Sequence, residues 1–186
     1  MPRAGLTPAV VAAVAAELLD REPHTPIGFA RLAAELGVKP PSLYNHIDGV
    51  DELERMIALG GIGELAERCR AAVMGLTGPE ALHSLARAYR SYAAEHPGVY
   101  PLTQVARPGD PAYEEVAGKL LEAVIALLSG FGLQGEEAVH AARTVRSALH
   151  GFALLATNRG FGLDTDVDAS FTWMMQALTT ALADQA

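Results

Sequence analysis

Apolar and polar positions alternate along this chain with the period of helices, and no stretch shows the period of two that marks a strand. Val10, Val11, Val14, Ala15 and Leu18 form the buried stripe of a first helix. Thr7 caps it, Pro8 opens it, and it ends near Arg21. Phe29, Leu32, Ala33 and Leu36 repeat at i, i+3, i+4, i+7 and predict a short second helix, closed at Gly37, where a left-handed cap suits glycine. Val38 fills the turn, Pro40-Pro41 fix the start of a third helix running to Ile47, and Leu43 and Ile47 face inward. Two helices joined by so short a glycine-containing turn make a helix-turn-helix.

The remaining chain reads as longer helices. From Val50 to about Met74, Leu53, Met56, Ile57, Leu65 and Val73 form a stripe interrupted by Gly60, Gly61 and Gly63. Each glycine costs about 0.5–1 kcal/mol relative to alanine, so the segment is expected to weaken or bend. Either a hinge or close backbone packing accounts for them. A helix from Pro79 to about Glu95 carries Leu82, Leu85, Ala86, Tyr89, Tyr92 and Ala93, and His96-Pro-Gly98 ends it. A short piece with Tyr100 and Leu102 and the loop Arg107–Pro111 lead to a helix over 112–129. Two long amphipathic helices follow. One spans Glu136 to about Arg159, with Val139, Ala142, Val145, Leu149, Phe152 and Ala156 inward. The other spans Asp166 to about Ala183, with Val167, Phe171, Met174, Met175, Leu178 and Leu182 inward. Their apolar surface exceeds the needs of one small domain, which suits a paired interface.

The third helix leaves Ser42, Tyr44, Asn45 and His46 free to reach outward: a hydroxyl, a phenol, an amide and an imidazole suited to phosphate oxygens and base edges. Asparagine bonds adenine bidentately, and Pro41 can touch a thymine methyl. Thr25 and Lys39 stand beside them as phosphate contacts, and Arg3 lies on an arm that either reaches the groove or is simply solvated. The same geometry also fits an ordinary solvated turn between core helices.

The wording of the stretch adds to its spacing. Leu32-Ala33, Leu36-Gly37-Val38, Leu43-Tyr44-Asn45-His46-Ile47 and Leu53 resemble the DNA-binding domain of the tetracycline-repressor (TetR) family over roughly residues 6 to 60. The resemblance implies an all-α protein with an N-terminal three-helix helix-turn-helix domain (1–49) and a larger helical effector-binding and dimerisation domain (50–186). It implies a regulator that binds a palindromic double-stranded DNA operator as a homodimer, paired through its last two helices, and leaves it when a small-molecule effector binds. Leu149-His150-Gly151 resembles the Trp-His-Gly-like signature of one branch of the family's C-terminal domains. One departure stands out: the family carries a backbone-contacting lysine near the start of the helix after the helix-turn-helix, and here Val50 holds that place.

Charge bears on this picture. The 186 residues carry a formal net charge of −8. Residues 1–56 hold five basic side chains against eight acidic ones, which opposes bulk affinity for nucleic acid. A small-molecule-binding or helical interaction protein that has lost specific DNA binding is therefore the alternative reading. Tyr89, Tyr92, Tyr100, Phe131, His150 and Phe152 are candidates to line an effector pocket, although aromatics at helical spacing usually pack as core. Arg143 and Arg146 read as a wet or interface face. The single Cys69 reads as a small helix residue and excludes an intrachain disulfide. No phosphate loop, nucleophile elbow or metal-binding spacing is present, so no enzyme, cofactor or metal is expected. No apolar run reaches the ~20 residues of a membrane span, and the expected location is the cytoplasm.

Overall fold

A computed structural model describes residues 5–185; Arg3 lies outside them. The described residues form helices and connecting turns without strands. The α-helices are α1 (Pro8–Arg21), α2 (Phe29–Leu36), α3 (Val50–Val73), α4 (Gly78–Glu95), α5 (Tyr100–Thr103), α6 (Pro111–Ser129), α7 (Gly135–Thr157) and α8 (Val167–Ala183). A 3₁₀ helix, Pro40–Asn45, lies between α2 and α3. None of the helices is long and apolar enough to cross a membrane. The chain forms two compact units, one of residues 1–63 and 95–113, the other of residues 64–94 and 114–186. The division therefore falls inside α3, directly after Gly63.

The first unit follows the sequence pattern closely. Thr7 caps α1 by accepting a hydrogen bond from the Val10 amide at 3.3 Å. Val11, Ala15 and Leu18 of α1 share a core with Leu32 and Ala33 of α2, Leu43, Ile47, and Leu53 and Ile57 of α3. Gly37 ends α2 at φ +66°, as the left-handed cap requires. The third helix departs from expectation in type and length. It is 3₁₀ rather than α and stops at Asn45, with Ser42 bonded to the Lys39 carbonyl three residues back and His46 to that of Leu43. Two adjacent prolines remove two amide donors, and a six-residue piece gains little from α geometry.

Residues 95–113 are part of this unit. Asp20, near the end of α1, accepts hydrogen bonds from the backbone amides of Gly98 and Val99 at 2.9 Å each, and from His96 Nδ1 at 2.7 Å. Gly98 passes so close that a Cβ there would lie 2.1 Å from the Leu19 carbonyl oxygen. Arg55 of α3 donates two bonds to Asp110, at 2.5 and 2.7 Å. Tyr113 donates its hydroxyl to the buried Thr103 carbonyl at 2.7 Å.

In the second unit, α4 buries Leu82, Leu85, Ala86, Tyr89, Tyr92 and Ala93, the side the pattern marks. Along α7 the buried face is Ala138, Ala141, Ala142, Val145, Leu149, Phe152 and Ala153, while Val139, expected inside, is exposed. Phe171, Met175 and Leu182 of α8 are buried, and Val167, Met174 and Leu178 are half-buried. Cys69 of α3 is buried, and burial pushes its thiol up to about 12, far from a reactive thiolate. The glycines of α3 do not break it. A Cβ on Gly60 would meet no atom within 4 Å, so close packing does not account for that glycine.

Candidate nucleic-acid interface

Four buried side chains hold the turn in place. Leu32, Ala33 and Leu43 are fully buried and Ile47 nearly so, which fixes the 3₁₀ helix against α2. The Val38 amide closes the turn on the Ala33 carbonyl at 2.9 Å. With the inner face spent on packing, Pro41, Tyr44 and Asn45 point into solvent beside Lys39, and Ser42 and His46 are half-buried. Tyr44 is 61% exposed, a large value for an aromatic side chain, and its ring rests against Phe29 of α2 with centroids 5.0 Å apart. The ring is thus held, and the hydroxyl is free to meet a phosphate or a base edge. Thr25 is exposed in the α1–α2 loop, its amide bonded to the Glu22 carbonyl.

The charges around this array are largely cancelled. Arg31 of α2 forks onto Glu22, one bond at 2.7 Å from Nη1 to Oε2 and a second from Nη2 to Oε1. The pairing raises the Arg31 guanidinium above its ordinary value and lowers the Glu22 carboxyl, in both cases chiefly through that hydrogen bond. Arg21 pairs with Glu35 at 2.5 Å. At the start of α3, Glu52 accepts a hydrogen bond from the Asp48 amide, and Asp51 adds a second carboxylate to the same first turn. Val50 is 43% exposed where a lysine was sought. Neither these ion pairs nor the Phe29–Tyr44 contact is visible in the sequence. Their partners face each other only once the turn is folded.

Of the six pocket candidates, five belong to the second unit, where Tyr89, Tyr92, Phe131 and Phe152 are buried and His150 is half-buried. Desolvation, then the nearby Arg146, lowers the His150 pKa. Tyr100 is buried in the first unit. Arg90 of α4 lies over the rings of Phe171 at 4.8 Å and Phe152 at 5.4 Å and pairs with Asp168 at 2.5 Å. The sequence marks Phe152 and Phe171 as inward residues but gives no sign of Arg90 and Asp168 beside them. A separate groove of about 340 Å³ runs between Glu137, His140, Ala141 and Thr144 of α7 and Leu178, Ala181 and Leu182 of α8. None of the six candidates lines it. Arg143 and Arg146 are exposed. No three metal-binding side chains converge among the described residues.

The chain matches the model of a tetracyclin repressor-like C-terminal domain over residues 82–178, more than half its length. The chain belongs to the tetracycline-repressor family. It is 40% identical to the HTH-type transcriptional regulator Rv0681 of Mycobacterium tuberculosis, across 88% of this chain and 76% of that one. It is 34% identical to the HTH-type transcriptional regulator YobS of Bacillus subtilis, across 97% and 95%. Its fold matches that of BioQ, whose crystal structure holds its double-stranded DNA operator, with a TM-score of 0.70 and 23% identity over 96% of this chain and 98% of that one. This TetR-family chain is thus a helix-turn-helix transcriptional regulator with an all-α fold. The α2–turn–3₁₀ segment is the part whose chemistry fits DNA.

Proposed function

We propose that this regulator is a homodimeric repressor that binds a palindromic operator in the cytoplasm and releases it when a small-molecule effector enters the second unit. One observation carries the reading. Pro41, Tyr44 and Asn45 are exposed on a 3₁₀ helix, with Lys39 exposed just before it, while Leu43 of that helix and Ile47 just after it are locked in the core. Pro41, Ser42, Tyr44, Asn45 and His46 contact bases and backbone; Thr25 and Lys39 contact phosphates. Two such helices enter successive major grooves about 34–36 Å apart, or a multiple of that distance. The effector is held among Tyr89, Tyr92, Phe131, Phe152 and His150, with Tyr100 a further contact. Dimerisation through α7 and α8 is supported by the apolar groove between them and by the exposed Val139, Leu154, Leu155 and Trp173. Coupling needs only ~1–3 kcal/mol of differential affinity between the operator-bound and effector-bound states.

The acidic balance and Val50 favour a second reading, a regulator-like protein that binds only its small molecule. Anisotropy titration separates the two. The purified dimer is offered the DNA upstream of its own coding region, then sequences selected from a random pool, beside Tyr44→Ala. Saturable binding weakened about tenfold or more by the substitution, with an unchanged melting temperature, supports the repressor. A folded dimer that selects no sequence supports the second reading.

A further inference from the structure

We infer that this regulator is a charge-poor reader of DNA, in which Glu22, Glu35 and Glu52 cancel the positive groups of the helix-turn-helix region and thereby suppress binding to bulk DNA. The inference rests on the operator-binding reading above and assigns control of bulk DNA affinity and salt dependence to residues outside the contact surface. Residues 1–56 contain five basic side chains. Of these, Arg21 is paired with Glu35, Arg31 with Glu22, and Arg55 with Asp110. Lys39 is exposed and takes part in no ion pair among the described residues, and Arg3 lies outside them. The N-terminus of α3 would ordinarily offer its amides and dipole to a phosphate. Here Asp51 and Glu52 put two carboxylates in that turn, Glu52 takes up the Asp48 amide, and Val50 supplies no cation.

Affinity for any duplex comes chiefly from phosphates neutralised and counterions released, with log K falling by about 0.9 per phosphate for each decade of salt. An arginine already forked onto a carboxylate can swing to a phosphate, but the carboxylate stays behind and the pair adds no net charge. A dimer relying on Lys39, with Arg3 at most, neutralises two to four phosphates and has a slope of about −2 to −4. Bulk DNA is then held weakly at any salt. The sequence-dependent contacts of Ser42, Tyr44 and Asn45 are neutral and persist as salt rises. The electrostatic share of binding is thus low on every duplex, and operator affinity rests on these neutral contacts.

The test measures binding of the full-length dimer to a random duplex and to a pool-selected sequence between about 50 and 300 mM salt, for wild type, Glu22→Gln/Glu35→Gln and Glu52→Gln. Circular-dichroism melts check that each variant folds. The expected wild-type slope on the selected sequence is about −2 to −4, and the double variant steepens it by about two to four while binding the random duplex roughly tenfold tighter at the lowest salt. A wild-type slope of about −6 or steeper, or a folded double variant with unchanged slope and unchanged bulk affinity, overturns the inference while leaving operator binding intact. Selection of no sequence at all removes the operator-binding reading, and this inference with it.

Discussion

Each of the two compact units has its own mix of internal contacts. In the first, charged and polar groups far apart in sequence close specific bonds: Asp20 onto His96, Gly98 and Val99, Arg55 onto Asp110, and Tyr113 onto Thr103. In the second, alanine-rich helix faces and aromatic rings stand beside polar contacts such as His83 with Thr179 and Arg90 with the exposed Asp168, and Arg90 also lies over Phe152 and Phe171. Directional bonds fail when one atom is missing, whereas apolar packing yields by degrees. On the proposed function, a unit that presents Tyr44 and Asn45 at fixed positions gains from directional bonds, and one that admits an effector gains from packing that yields.

The sharpest way to break that contrast is Gly98→Ala. Its Cβ would collide with the backbone of Leu19 and Asp20, and a loss of about 3 kcal/mol in chemical denaturation is expected, at the top of the overpacking range. An unchanged denaturation midpoint would mean that the close approach does not exist. Asp20→Ala should cost about 2 kcal/mol, because it strands two backbone donors that the carboxylate satisfies. In the second unit Arg90→Ala should cost only about 1 kcal/mol, the worth of a partly shielded cation over rings. An Arg90→Ala variant as damaging as Asp20→Ala would mean that the two units do not differ in this way. Gly60→Ala should stabilise α3 by about 0.5–1 kcal/mol, since the added methyl meets nothing. If Gly60 serves as a hinge, the same change should also blunt the response of operator binding to effector.

The smallest effect is a pH dependence. Hydrogen bonding from Arg55 holds the Asp110 carboxyl below its ordinary value, so its contribution to stability is fully present above the ordinary aspartate range and lost as pH falls through the lowered value. Melting temperatures of wild type and Asp110→Asn should differ at neutral pH and converge in acid, as pH falls through the lowered Asp110 value. A gap that persists in acid would assign the loss to something other than this ion pair.

Much of this was legible along the chain where the signal was local. The α1 stripe, the Thr7 cap, the Gly37 stop and the outward set around Tyr44 all depend on neighbours within a few turns. What escaped depends on distance or on a close contest. Asp20 and its partners are separated by 76 to 79 positions, and no pattern links them. Val139 was expected inside as part of the stripe with Ala142, Val145 and Leu149. In a helix where Ala138, Ala141 and Ala142 allow close approach, the small residues take the inner face and valine turns outward. The 3₁₀ geometry of Pro40–Asn45 follows from a local cue, the double proline.

The route of the chain through the two units also bears on heredity. The polypeptide passes between them three times, after Gly63, after Ala94 and after Tyr113. The first unit is therefore not a contiguous stretch that recombination could lift out as a cassette. A crossover in α3 that carried residues 1–63 onto a foreign second half would leave behind Val99, which packs in the core, and the amides that satisfy Asp20. New operator specificities in this lineage should thus arise by point changes around Tyr44, and chimaeras joined within α3 should need residues 95–113 from the same parent to fold.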